Sequence, residues 1–297
     1  MSSINTLRGT LRAHDAQPKK SLGQNFLVDG RIAERIVSAA GVSRGTHIPS
    51  PPSDSTQLDV SRATLAVEIG PGTGVLTRLL SERAEHVYAI ELDERMIAIL
   101  KDSLGEAKNL TIVHDDALKV DFDALLANEA APYVVLGNLP YYITSHAIRK
   151  ILESQRKPQR IVLMVQLEVA RRMAAKPDDM NLLAVGTQFY GATEMLFNVP
   201  PSAFYPQPNV DSAVVRITPH AEMPSVNADK LFALARAGFG QPRKQLRNTL
   251  STGLNLTREQ SAELLLRAKI DPTRRPETLS IPEWVQLTNT YERIITP

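Results

Sequence analysis

Leu65-Ala66-Val67-Glu68-Ile69-Gly70-Pro71-Gly72-Thr73-Gly74, running on into Val75-Leu76-Thr77-Arg78-Leu79-Leu80, is the stretch that decides the fold. A short, nearly continuous apolar run reads as a strand buried on both faces. The glycines after it supply a turn that side chains would obstruct. Val75, Leu76, Leu79 and Leu80 then fall on one face of a helix. Strand, glycine loop and helix open a nucleotide-binding βαβ unit. The loop departs from the dinucleotide fingerprint G-x-G-x-x-G, because no further glycine follows at Val75 or Thr77. Glu68 also places a carboxylate where a pyrophosphate would be repelled.

The same unit recurs outward from this point. His86 to Ile90 forms the next strand and ends on Glu91, with Ile97, Ile99 and Leu100 marking a helix after it. Glu91 follows Gly74 by seventeen residues, close to the roughly twenty at which a carboxylate reaches a ribose diol. Leu110 to Val113 leads into Asp115-Asp116-Ala117, and Tyr133 to Leu136 into Gly137-Asn138-Leu139-Pro140-Tyr141-Tyr142. Ile161 to Val165 is a fifth strand, with later candidates at Thr193 to Val199 and Ser212 to Thr218. The alternation implies an α/β fold, a mainly parallel sheet with helices on both faces. Asp29 and Gly41 read as the caps of a helix that precedes the first of these strands.

Beyond about residue 222 the pattern turns helical, with capping-box spacings at Thr257/Gln260 and Ser280/Glu283. The expected division is a flexible N-terminal tail over 1–20, a Rossmann-like domain over 21–221 and a small all-helical C-terminal domain over 222–297. The Ser- and Pro-rich stretch 43–62 reads as an exposed loop.

Composition narrows the function classes. With 43% hydrophobic and 22% charged residues, the 297-residue chain is an ordinary globular one. It has no cysteine, which excludes disulfides, thiolate metal sites and cysteine nucleophiles and fits a reducing compartment. The six histidines lack metalloprotease spacing, so no metal site is expected. No membrane-spanning run or signal-peptide core is present, and the cytoplasm is the expected location. A net charge of +2 is uninformative, but Lys230, Arg236, Arg243, Lys244, Arg247 and Arg258 fall in one stretch without a single acid. A block of one sign in a near-neutral protein suggests a phosphate-binding surface.

Chemistry is expected at Asn138-Leu139-Pro140-Tyr141. Pro140 biases Leu139 toward an extended backbone. The Asn138 amide and the Leu139 carbonyl can then converge as acceptors on one small amino group whose ring stacks on Tyr141. An adenine exocyclic amine presented for reaction fits that description. The alternative is a plain strand-ending turn, with Asn capping backbone and the tyrosines filling core. Acids at Glu68, Glu91 and Asp116 suit a cofactor carrying a ribose, an adenine and a cationic centre, and S-adenosylmethionine has all three.

Taken together, Gln24-Asn25-Phe26-Leu27, Glu68 to Gly74, Glu91-Leu92-Asp93, Asp116-Ala117, Asn138 to Tyr142 and Phe204-Tyr205-Pro206-Gln207-Pro208-Asn209-Val210-Asp211-Ser212 resemble the rRNA adenine N6,N6-dimethyltransferases, and most of all their small-subunit members. The resemblance spans about residues 17–295. It implies a class I S-adenosylmethionine-dependent methyltransferase domain with a helical C-terminal rRNA-binding domain. The implied reaction is dimethylation of two adjacent adenosines near the 3′ end of 16S rRNA, within the 30S subunit or its precursor, by a monomer. Asn25, Leu27, Gly70, Glu91, Asp116 and Asn138 would contact the cofactor. Asn138 and Leu139 would hold the amine, Tyr141 after Pro140 and Phe204 would sandwich the base, and Arg243, Lys244 and Arg247 would grip RNA phosphates. Two departures stand out: the 43–62 loop is longer than usual, and Asp115 sits where Gly is common. Rival readings are a large-subunit rRNA dimethylase of the macrolide-resistance type, a DNA adenine methyltransferase, and a ribosome-assembly factor acting by binding.

Overall fold

The structure is a computed structural model that describes residues 4–19, 23–42, 64–139, 144–241 and 243–295. The stretch 43–62, Pro140, Tyr141 and Tyr142 lie outside the described residues. The chain divides into two compact units, residues 1–170 with 194–219, and residues 171–193 with 220–297. The second unit thus takes in 171–193, which the sequence pattern had assigned to the first.

In the first unit the chain begins with helix α1 (Ile4–Ala13), strand β1 (Phe26–Leu27) and helix α2 (Gly30–Ala40). Where the sequence suggested a flexible tail, α1 is an amphipathic helix that buries Leu7 and Leu11. These two leucines pack with Ala16, Phe26, Met96 and Ile99, and such a cluster supplies the burial that orders a short helix. Asp29 caps α2 by accepting from the Arg31 and Ile32 amides, and Gly41 closes it in the left-handed conformation.

The βα succession follows as β2 (Leu65–Ile69), α3 (Val75–Arg83), β3 (His86–Glu91), α4 (Glu94–Leu104), β4 (Leu110–His114), α5 (Phe122–Leu125), β5 (Tyr133–Asn138), α6 (Thr144–Glu153) and β6 (Arg160–Gln166). Next come α7 (Leu167–Met173), α8 (Leu182–Gln188), β7 (Gly191–Val199), β8 (Phe204–Tyr205) and β9 (Ser212–Pro219). The sheet order is β4-β3-β2-β5-β6-β9-β7. Strands β2 to β6 pair in parallel, and β9 runs antiparallel to β6. β2 lies between β3 and β5, so the strand order reverses there. In an open α/β sheet such a reversal opens a crevice at the carboxyl ends of the strands.

β2 and the hydrophobic stretch of β5 are buried along their whole length, as strands covered on both faces must be. The main core joins Ile36, Val37, Leu76, Leu80, Val134, Leu136, Val162 and Met164. A separate two-stranded ribbon pairs β1 with β8, setting Phe26 opposite Tyr205 and Leu27 opposite Phe204.

The second unit contains α8, α9 (Ala228–Phe239), α10 (Leu246–Gly253), α11 (Arg258–Arg267) and α12 (Ile281–Ile295). Trp284 is fully buried with Leu231, Leu234, Leu246 and Leu250. Close packing depends on Gly238, where an added β-carbon would fall 2.6 Å from the Trp284 ring. The Thr257/Gln260 capping box forms as expected. At the second box Glu283 accepts from both the Ser280 amide and hydroxyl, at 2.8 and 2.9 Å.

Candidate active site

The crevice holds a cavity of about 180 Å³ whose wall includes Asn25, Gly70, Glu91, Leu92, Asp116 and Asn138. Four successive βα loops and the segment before β1 therefore meet in one place. Gly70 takes φ +67°, a left-handed conformation, while its amide continues the ladder to the Ile90 carbonyl of β3 at 3.0 Å. Gly72 also has positive φ, and a β-carbon there would sit 3.0 Å from the Phe26 ring. The loop is thus glycine-rich for conformation at residue 70 and for both conformation and space at residue 72.

Glu91 ends β3 almost buried, with Oε1 accepting from the Leu92 and Asp93 amides at 2.9 Å each and Oε2 from the Gly72 amide at 3.1 Å. Burial raises its pKa, and these three amide bonds work against that rise. Asp116 accepts from the Leu118 amide at 2.9 Å, and Asp115 accepts from the Asp116 amide at 2.7 Å. Asp115 does not occupy the positive-φ region, so an aspartate serves the turn where glycine is common.

Asn138 stands at the tip of β5. Its Nδ2 donates to the Asn25 carbonyl at 2.8 Å, a bond that spends one amide proton and leaves Oδ1 as an acceptor. Asn25 in turn donates from its side chain to the Gly23 carbonyl at 3.2 Å. Leu139 is buried. Pro140 and Tyr141 fall outside the described residues.

Two residues expected at the cofactor, Leu27 and Glu68, do not line this cavity. Leu27 is core, buried among Ile36, Val134 and Phe204, and does not line the cavity. Phe204, expected at the target base and not at the cofactor, is 1% exposed. Glu68 is buried beside Thr77 of α3, and burial, reinforced by the Glu91 charge, pushes its pKa up to about 8. A carboxyl largely protonated at neutral pH supplies little of the negative charge expected of it. Strand alternation is the reason: neighbouring Ile69 lines the cavity, so Glu68 points to the opposite side.

The pattern missed two contributors. Leu92 lines the cavity while 50% exposed, and a single leucine between two acids carries no periodic signal. Asp93 caps α4 and accepts from Arg95 Nη2 at 2.7 Å and Gln24 Nε2 at 3.1 Å, with Lys19 Nζ at 3.7 Å. Arg95 above all holds the Asp93 carboxyl at about 2. Asp93 thereby ties the loop after β3 to the segment carrying Asn25. The N-cap rule could have found it, since it stands immediately before an apolar helical period.

In the second unit, Arg243, Lys244 and Arg247 are exposed around the start of α10, with Arg243 at φ +69°. Among the described residues no group of three His, Asp or Glu side chains could hold a metal ion. No helix among them is long and apolar enough to cross a membrane.

A doubly wound sheet with an acidic, glycine-looped crevice at its switch point is a class I, Rossmann-like methyltransferase fold. The fold is shared with the crystal structure of the 23S rRNA methyltransferase ErmE (24% identity, TM-score 0.67, covering 90% of this chain and 99% of that one). It is also shared with a dimethyladenosine transferase from Plasmodium falciparum (24%, TM-score 0.73, 90% and 98%). Residues 16–293 match the family model described as ribosomal RNA adenine dimethylase. Proteins called ribosomal RNA small subunit methyltransferase A are similar over nearly their whole length. That of Dehalococcoides mccartyi is 41% identical over 95% of this chain and 89% of its own. That of Geobacillus kaustophilus is 42% identical over 91% and 90%. The chain belongs to the ribosomal RNA adenine dimethylase family, and it is a methyltransferase.

Proposed function

We propose that this protein transfers methyl groups from S-adenosylmethionine to N6 of two adjacent adenosines near the 3′ end of 16S rRNA. It would act in the cytoplasm, as a monomer, on the 30S subunit or its precursor. The small-subunit assignment is favoured by relatives of that name at 41–42% identity, whereas the likeness to the 23S enzyme, at 24% identity, is one of fold.

The cavity suits the donor. Glu91 presents carboxylate lone pairs to a ribose diol, Asp116 an acceptor to an adenine edge, and Leu92 an apolar surface to its ring. Gly70 admits the cofactor's tail close to backbone, and Asn25 borders it. When bound, the sulfonium supplies an already activated methyl group. Transfer then needs alignment, exclusion of water and an available lone pair on the amine.

The observation that carries the reading is the bond from Asn138 Nδ2 to the Asn25 carbonyl. It fixes which way the amide faces, so Oδ1 can accept from the N6 amine while the Leu139 carbonyl takes the second proton. Two acceptors draw the nitrogen lone pair out of ring conjugation. Asn138 is an aiming group, and the proton leaves to water after transfer. Tyr141 and Phe204 are the proposed stacking partners of the flipped base, each worth about 1–3 kcal/mol. Because Phe204 is buried, base capture must uncover its ring. Arg243, Lys244 and Arg247 are the proposed phosphate contacts.

Incubation with 30S subunits and isotopically labelled S-adenosylmethionine, followed by mass spectrometry of the rRNA, is expected to give labelled N6,N6-dimethyladenosine in 16S rRNA. Label confined to 23S rRNA or to duplex DNA in parallel reactions would overturn the proposal.

A further inference from the structure

The second unit contains a groove of about 790 Å³ between the end of α11, residues near His220 and one face of α12. None of its lining residues carries a carboxylate, whereas Arg267, Lys269 and Arg293 bring positive charge and Gln286 and Asn289 bring amides. Its volume falls in the range of ligand sites. Arg267 is paired with Glu263 one turn away, both largely exposed, a pairing that water keeps weak and exchangeable. Lys269 and Arg293 have no carboxylate partner among the described residues.

Lys269 is the more telling of these cations. The Ile270 amide reaches the Leu265 carbonyl at 2.8 Å and the Lys269 amide the Leu266 carbonyl at 2.9 Å, the paired bonds of a Schellman ending. Lys269 occupies its left-handed position at φ +58°. Glycine is the usual residue there, since a β-carbon is disfavoured in that conformation. Lysine at this position adds a cation to the helix C-terminus, but at conformational expense, and its ammonium lies on a groove free of carboxylates.

We propose that this groove binds the sugar-phosphate backbone of RNA, as a second basic surface of the unit beside Arg243, Lys244 and Arg247, none of which lines it. The inference rests on the rRNA reading above and names where a further part of that substrate is held. Exposed cations would meet phosphates, and the α12 amides would meet ribose hydroxyls and phosphate oxygens.

Binding of 30S subunits is to be measured across salt concentrations for wild type, Lys269→Gly, Arg293→Gln and the double variant. Lys269→Gly removes the ammonium and relieves the backbone, so its melting temperature should rise while its affinity falls. A purely structural role would not move these two readouts in opposite directions. The double variant should bind about tenfold more weakly near 0.15 M salt, with the slope of log affinity against log salt reduced by about 2. Arg293→Gln leaves the α11 ending untouched and should show a smaller loss of the same kind. Wild-type affinity and slope in the double variant would overturn the proposal. So would saturable binding of AMP or ATP to the wild type, abolished in the double variant while 30S binding is unchanged, since the groove would then serve a free nucleotide. Methylation of 30S subunits by the wild type, run in parallel, separates the two readings. If it is absent the proposed function fails, and if it is present while the variants bind normally only this groove is lost.

Discussion

Replacing Glu68 by glutamine removes a buried ionisable group while keeping its shape, and the consequence is a change in how stability depends on pH. Glu68 has an ordinary carboxyl pKa of 4.5 once unfolded and one of about 8 in the fold, chiefly because burial disfavours its charge. Between those values the native state holds a proton that the unfolded state has lost. Stability is therefore fully present below about pH 4.5 and declines as pH rises toward 8. At about 1.4 kcal/mol per pH unit, the interval from 4.5 to about 8 gives an upper bound of about 5 kcal/mol. Glu68→Gln has no proton to lose, so its stability relative to wild type should grow by several kcal/mol between pH 5 and pH 8, then level off. Urea unfolding of both proteins at pH 5, 6, 7, 8 and 9 measures this directly. Parallel profiles would mean that Glu68 titrates normally in the fold and would sink the reasoning.

Asn138→Ala removes the acceptor aimed at the amine and should lower single-turnover methyl transfer at least a hundredfold while 30S binding stays within threefold; retained transfer would refute the aiming role. Gly72→Ala places a methyl 3.0 Å from the Phe26 ring at a positive φ, so calorimetric affinity for S-adenosylmethionine should fall about tenfold or more, and an unchanged affinity would contradict the packing described. Charge reversal at Arg243, Lys244 and Arg247 should weaken 30S binding and reduce its salt slope by about 2 to 3, with cofactor affinity unchanged as the internal control.

The sheet and its switch point were legible because buried parallel strands and glycine loops are local patterns. Leu65 to Ile69 is a strand and Val75 to Arg83 a helix, as the apolar spacing implied. Glu91, Asp116 and Asn138 share a cavity because each stands at, or just past, the carboxyl end of a strand on the same edge, which chain order alone implies. What escaped notice depends on pairing between distant segments. The ribbon of β1 with β8 joins residues far apart in sequence, and two residues per strand leave no periodicity to read. It buries Leu27, expected at the cofactor, in the core. α1 escaped because its two buried leucines find their partners on α4 and at Phe26, so nothing local distinguishes them from apolar residues in a tail. Arg243 was visible as a charge, but its left-handed backbone was not.

The ribbon also explains how the proposed donor and acceptor sides of the reaction remain in register. Asn25, immediately before β1, lines the cofactor cavity and holds Asn138 through its carbonyl. Phe204, on the partner strand, is paired in register with Leu27, and the Val28 amide binds the Ala203 carbonyl at 2.8 Å. One face of this ribbon rests on the Leu7 and Leu11 cluster of α1, while Arg8 lies 4.9 Å above the Tyr205 ring. Asp93 fastens Gln24 to the loop that presents Glu91. In the proposed base capture, a displacement of Phe204 would pull on the strand next to Asn25, whose carbonyl accepts from the Asn138 amide. In a reaction that needs no base, alignment of an amine with a methyl group supplies most of what the protein can contribute. In the proposed reaction, a shared backbone ribbon would make that alignment respond to both substrates at once.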